Sequence, residues 1–200
     1  MLKLARQSVT AAVNKQPLPN PLPDEIPEKL RQHRACFVTL TKQGQLRGCI
    51  GAVFPEEPLY QAVIHKARSA ALEDGRFEPV TPEELPQIEV EISLLTLPRE
   101  LDFRSPEDLL AKLRPRVDGV VLNVAGYQAT FLPQVWEQIP DKEQFMSSLA
   151  RKAGLRPGDW RHPQAAVLVY QAEVFHEQRH DQQPQHPTAG TSHSPDTSDR

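Results

Sequence analysis

The first thirteen residues carry Leu2, Ala5, Val9, Ala12 and Val13 at helical spacing, which predicts an amphipathic opening helix. Lys3 and Arg6 make the segment basic, but no apolar stretch with a cleavage site follows, so it reads as mature structure. Pro17, Pro19, Pro21, Pro23 and Pro27 then predict an extended connector, because proline donates no ladder hydrogen bond and biases its predecessor out of the helical region. Residues 35–41 and 46–51 are β-type runs around 42–45 and predict a hairpin. Across 57–72 the residues Leu59, Ala62, Val63, Ala67, Ala70 and Ala71 form one stripe, a helix stopped by Asp74, Gly75 and Arg76. Residues 88–97 alternate Ile88, Val90, Ile92 and Leu94 with polar neighbours, the pattern of a strand with one buried face.

Further on, Ser105 caps a short helix begun by Pro106, with Glu107 and Asp108 in its first turn. Residues 120–125 and 128–132 predict a second hairpin around Gly126 and Tyr127. Asp141 caps a helix running to Ala153 and closed by Gly154, and 165–175 is the last strand. Hairpins with segregated helices, lacking the regular beat of a doubly wound sheet, predict an α+β fold: a mainly antiparallel sheet flanked by helices. Residues 179–200 hold no large apolar side chain and are expected to form a disordered polar tail after a domain at 1–178.

Composition narrows the function classes. A chain of 200 residues can bury a core without staples, and two cysteines are too few for a disulfide scaffold. No apolar run approaches the roughly 20 residues of a bilayer-spanning helix, so a membrane partner is not expected and a cytoplasmic location is the default. Against 26 acidic residues stand 23 basic ones, a net charge of −3, which argues against nucleic acid as the main partner.

Chemistry concentrates in three segments. In Leu46-Arg47-Gly48-Cys49-Ile50-Gly51 a thiol lies between two glycines after an arginine. Cys49 is then either a small buried hydrophobe beside glycines that permit a bulge, or a thiol activated by Arg47 and by backbone N–H groups around Gly48 and Gly51. Regular alternation around an even loop would put Cys36, Val38 and Leu40 on one face with Arg47, Cys49 and Gly51. That register leaves the two cysteines too far apart for a disulfide. The second segment, Asp74-Gly75-Arg76-Phe77, is an acidic-to-basic turn with an aromatic anchor; the third, 130–135, brackets an apolar triplet with Thr130 and Gln134. No CxxC or Cys/His cluster marks a metal, the spacing of His180, His186 and His193 is irregular, and no phosphate or dinucleotide loop marks a cofactor. His33, His65 and His162 are not placed beside Cys49 by the sequence.

These segments, in this order, resemble the AMMECR family, known in prokaryotes as AmmeMemoRadiSam system protein A. Residues 46–51 reproduce its LRGCIG motif, 74–77 resemble its D-P-R-F turn, 130–135 match TFLPQV and 152–155 match KAGL. Gly75 stands where the family has proline and Ala129 where glycine is common. The resemblance implies an antiparallel sheet flanked by helices, a smaller subdomain and a cleft near RGCIG. It also implies a pathway shared with a Memo-like protein related to dioxygenases and with a radical SAM protein. The expectation is a protein that binds, and as an enzyme would modify, a small anionic or peptide-like ligand. Cys49 is the candidate catalytic residue, and Arg47, Gly48, Gly51, Asp74, Arg76, Thr130 and Gln134 are candidate ligand contacts. The alternative is a noncatalytic adaptor that docks those partners on the same surface. A minor third reading is RNA binding through Arg151, Lys152, Arg156, Trp160 and Arg161. No reaction class and no cofactor follow from the sequence.

Overall fold

The computed structural model describes residues 1–177, so the expected polar tail and its three histidines lie outside the described residues. In chain order the elements are α1 (Leu2–Val13), α2 (Glu28–Arg31), β1 (Cys36–Lys42), β2 (Gln45–Gly51), α3 (Leu59–Leu72), a 3-10 turn (Pro82–Gln87), β3 (Ile88–Leu95) and β4 (Arg99–Glu100). There follow α4 (Pro106–Lys112), β5 (Gly119–Val124), β6 (Tyr127–Phe131), α5 (Val135–Gln138), α6 (Lys142–Lys152), β7 (Ala165–Tyr170) and β8 (Ala172–His176). The caps read from sequence are in place: Ser105 accepts from the Asp108 N–H, Asp141 from the Gln144 N–H, and Gly154 ends α6 at φ +82°. No helix among the described residues is long and apolar enough to cross a membrane.

The strands form two antiparallel four-stranded sheets, ordered β2-β1-β3-β8 and β4-β7-β5-β6, in an α+β fold. Helices α1 and α3 cover one face of the first sheet, where Ala5, Val9, Val63 and Ala67 meet Val38, Leu40, Val90 and Ile92. In the second lobe Trp136, Phe145, Leu149 and Trp160 fill the space over Val120, Leu122, Val167 and Val169. A smaller cluster of Ala35, Val53, Leu95, Val121 and Tyr170 draws on both sheets and joins the lobes.

Two expectations are corrected. The run at 165–175 is not one strand: it breaks at Gln171, with β7 in the second sheet and β8 in the first. The neighbouring crossover between β3 and β4 ties to it, Thr96 N–H donating to Gln171 O and Gln171 N–H to Thr96 Oγ1. The second hairpin turns on Ala125 and Gly126, at φ +51° and +89°, one residue earlier than its pattern indicated.

The register of the first hairpin matters most. Its loop is Gln43 and Gly44, both at positive φ, so the loop is even as expected. Yet the register shifts between Leu40 and Thr41: Thr41 faces Leu46 and Leu40 faces Gly48, leaving Arg47 as the extra residue of a β-bulge. A one-residue slip exchanges the faces of everything beyond it. Gly48 and Ile50 therefore join Val38 and Leu40 on the helix-covered face, and Cys49 pairs with Thr39 on the other. Gly48 meets α3 so closely that a Cβ there would lie 2.1 Å from the Ala70 carbonyl oxygen. Gly48→Ala should thus cost about 2 kcal/mol or more of unfolding free energy in urea titration, whereas Gly75→Ala, with open space around it, should stay within about 0.5 kcal/mol of wild type or gain slightly.

Candidate functional site

Strand β2 is a sheet edge, so alternate backbone groups along it need partners from outside the ladder. At Cys49 they come from the turn after α3. The Cys49 N–H donates to Asp74 Oδ2 at 2.9 Å, and Arg76 Nη2 donates to the Cys49 carbonyl at 3.3 Å. Asp74 in turn holds Arg76 through its backbone N–H, Nε and Nη2, at 3.2, 2.9 and 2.6 Å. The Arg76 guanidinium beside it, with the Cys49 N–H, holds the Asp74 carboxyl down at about 2 despite the opposing effect of burial. Phe77 anchors the turn, with the Arg76 guanidinium 5.4 Å from its ring centre.

The Cys49 side chain faces the seam between the lobes. Thr39 Oγ1 donates to its sulfur at 3.3 Å. From the second lobe the Tyr170 hydroxyl sits 2.8 Å from Thr130 Oγ1 and 3.1 Å from Phe131 O, while Lys152 Nζ donates to Thr130 O at 2.9 Å. Tyr170 reaches this position by passing over Gly119, where a Cβ would lie 2.4 Å from its ring. Burial pushes the half-buried thiol up from its ordinary pKa; the Thr39 hydrogen bond and the Arg76 and Lys152 charges pull the other way, and Asp74 adds to the rise. Lys152 is lowered by desolvation of its ammonium and by Arg76, with Cys49 opposing. Burial first, then Cys49, raises the Tyr170 hydroxyl. Cys49 is thus the group whose charge bears on Tyr170, Lys152 and Arg76 alike.

The structure brings Cys49, Asp74, Arg76 and Thr130 together but not the other expected contacts. Arg47 is corrected first. As the bulge residue it falls out of step with Cys49, and Glu84 takes its Nε and Nη2 at 3.1 and 2.9 Å while Glu78 O and Pro79 O accept the rest. The backbone N–H between the two glycines is already given to Asp74, so Gly48 and Gly51 do not frame an anion nest; Gly51 instead makes room for the Phe37 ring, 2.3 Å from where its Cβ would be. Gln134 lies farther along the seam, donating to Ser93 Oγ at 3.0 Å, with its buried Oε1 unpartnered.

The remaining groups are placed as follows. His65 pairs with Glu57, His162 accepts from the Gln164 N–H, and His33 bridges to Pro58. Cys36 is buried on the opposite face, its thiol pushed up to about 12 by burial, and both cysteines are free. Trp160 is fully buried, which removes the stacking surface the RNA reading needed. Sequence reasoning missed Thr39, Tyr170 and Lys152 as neighbours of the thiol. Lys152 lies in the KAGL segment, a signal that was present; Thr39 required the bulge, which no residue type announces.

Comparison with known proteins decides the family. The AMMECR1 family model matches residues 2–175. This chain belongs to the AMMECR1 family. A protein of Methanothermobacter thermautotrophicus is 45% identical over 157 residues, covering 78% of this chain and 82% of its own length. One from Thermofilum pendens is 38% identical over 186 residues, covering 88% and 87%. The crystal structure of the uncharacterised protein PH0010 from Pyrococcus horikoshii superposes with a TM-score of 0.82 at 34% identity, over 88% of this chain and 89% of that one. As an AMMECR1-family member, the chain shares its fold with that structure.

The clamp on β2 has a pH signature. Because the Asp74 pKa is depressed in the folded state, its contribution to stability is complete above the unfolded value near 3.8 and is lost as pH falls from about 4 to about 2. Asp74→Asn should lower stability at neutral pH by about 2 kcal/mol and flatten the acid limb of the unfolding curve across that window. Chemical denaturation at stepped pH reads both effects, and an unchanged acid limb would show that the pair is not formed.

Proposed function

We propose that the seam at Cys49 binds a small anionic ligand, a carboxylate of a peptide-like molecule or a phosphate, with Lys152 as the principal charge. The observation that carries this reading is the state of that lysine. Lys152 is an exposed residue whose ammonium is held at the seam by donating to the Thr130 carbonyl, and among the described residues it has no carboxylate partner. Arg76 is neutralised by Asp74, so Lys152 is the charge in excess. A positioned cation without a counter-ion can form a charge-assisted hydrogen bond to an anion. The hydroxyls of Thr39, Thr130 and Tyr170 border the same position but are engaged with Cys49 Sγ, Val120 O and Phe131 O, so the charge falls to Lys152, and Cys49 lies against the bound group.

The raised thiol pKa and the lack of a histidine against Cys49 among the described residues favour binding over attack by the sulfur at neutral pH. A shared pathway with a Memo-like protein and a radical SAM protein, the AmmeMemoRadiSam system, and a cytoplasmic location belong to the same proposal on the strength of the LRGCIG resemblance.

Alkylation of Cys49 by iodoacetamide, followed during titration with inorganic phosphate or acetate, tests the reading. An anion in the seam should slow the reaction saturably, and Lys152→Gln should weaken that protection about tenfold. Alkylation insensitive to both anions, or equally protected in Lys152→Gln, would contradict it. Protection of the thiol only by a Memo-like protein would replace ligand binding by partner docking.

A further inference from the structure

Behind the seam, where the two crossovers between the sheets meet at Thr96 and Gln171, lies an open hollow of about 250 Å³. Leu97, Arg99, Arg114, Asp118 and Tyr170 line it. Its charges do not cancel. Asp118 is almost fully buried and is taken by Arg114 through Nε at 3.1 Å and Nη2 at 2.6 Å. Arg99, on the short edge strand β4, has no ion pair or side-chain hydrogen bond among the described residues, and one positive charge is left over. Beside it Leu97 is 70% exposed, a large apolar side chain held out on the crossover with nothing packed over it. An unpaired guanidinium and a bare leucine lining one hollow make a complementary pair of contacts. One asks for a carboxylate and the other for hydrocarbon.

We infer that this hollow is a second ligand site, taking a small organic monoanion with an apolar body: the carboxylate on Arg99, the body against Leu97. The inference is independent of the reading of the seam, which uses other cations. Arg114 is committed to Asp118 and sets the wall rather than the charge. Tyr170 also lines the hollow, and its hydroxyl lies in the seam on the other face of the second sheet. A ligand would also rest near the carbonyl of Asp118, which accepts the Trp136 indole N–H at 2.7 Å. Occupancy should therefore register in tryptophan emission.

The test uses 3-phenylpropanoate as probe, its neutral amide as control, and the full chain, by isothermal titration calorimetry with tryptophan fluorescence in parallel. The acid should bind saturably below roughly 10 mM, the amide about tenfold more weakly, and Arg99→Gln should lose about tenfold for the acid while leaving the amide unchanged. Leu97→Ala should weaken acid and amide alike, severalfold. Both substitutions are on exposed side chains and leave the core intact. No saturable binding of the acid, equal binding of acid and amide, or an acid affinity untouched by Arg99→Gln would each overturn the assignment.

Discussion

One carboxylate closes the open edge of the first sheet. Asp74 accepts the Cys49 N–H and three N–H groups of Arg76, and Arg76 returns a hydrogen bond to the Cys49 carbonyl. An edge strand left with bare backbone groups is free to slip or to recruit another chain. Here the turn after α3 grips β2 at the residue where slippage would turn the thiol into the core. A second grip lies at the other end of β2, where Glu84 binds both Arg47 and Lys42. Between these ion pairs the bulge at Arg47 is fixed, and with it the face on which the sulfur lies.

The seam follows from how the sheets are joined. Each of two extended segments, Ile88–Leu95 continuing to Arg99–Glu100 and Ala165–Tyr170 continuing to Ala172–His176, leaves one sheet and enters the other. The lobes are thus tied twice, and side chains near the crossovers are shared between them. Tyr170 is the clearest case. Its ring belongs to the joining cluster, its hydroxyl fastens β6, and Gly119 is glycine because that ring occupies the space of a Cβ. The LRGCIG segment then has a physical reading residue by residue: Arg47 takes the bulge, Gly48 admits α3, Cys49 faces the seam, Ile50 enters the core and Gly51 admits Phe37. Four of its six residues serve the architecture, which leaves the exposed Leu46 and the thiol at the seam as the two that packing does not explain.

Most elements were legible because their signals are local. Helical stripes, the alternation from Ile88, and the caps at Ser105 and Asp141 need only a few residues of context. What escaped depends on partners distant in sequence. The break at Gln171 falls inside a pattern whose alternation continues on both sides, so nothing in composition separates one strand from two. The bulge at Arg47 leaves the polarity pattern intact and changes only which face each residue takes. Assuming regular alternation there joined Arg47 to Cys49, whereas the structure gives the thiol Arg76 and Lys152 as its cationic neighbours. The turn at 74–77 was recognised as a site component, but its role as a clamp on β2 required knowing that β2 is an edge.

Amide hydrogen exchange at Cys49 tests the central claim most directly. Its N–H points away from the sheet on an edge strand and has no ladder partner, so only the Asp74 carboxylate shields it. The account predicts protection comparable to the neighbouring ladder amides in the native protein, collapsing selectively at this residue in Asp74→Ala while the amides of β3 keep theirs. Rapid exchange at Cys49 in the native protein, at the rate of an open edge, would contradict it.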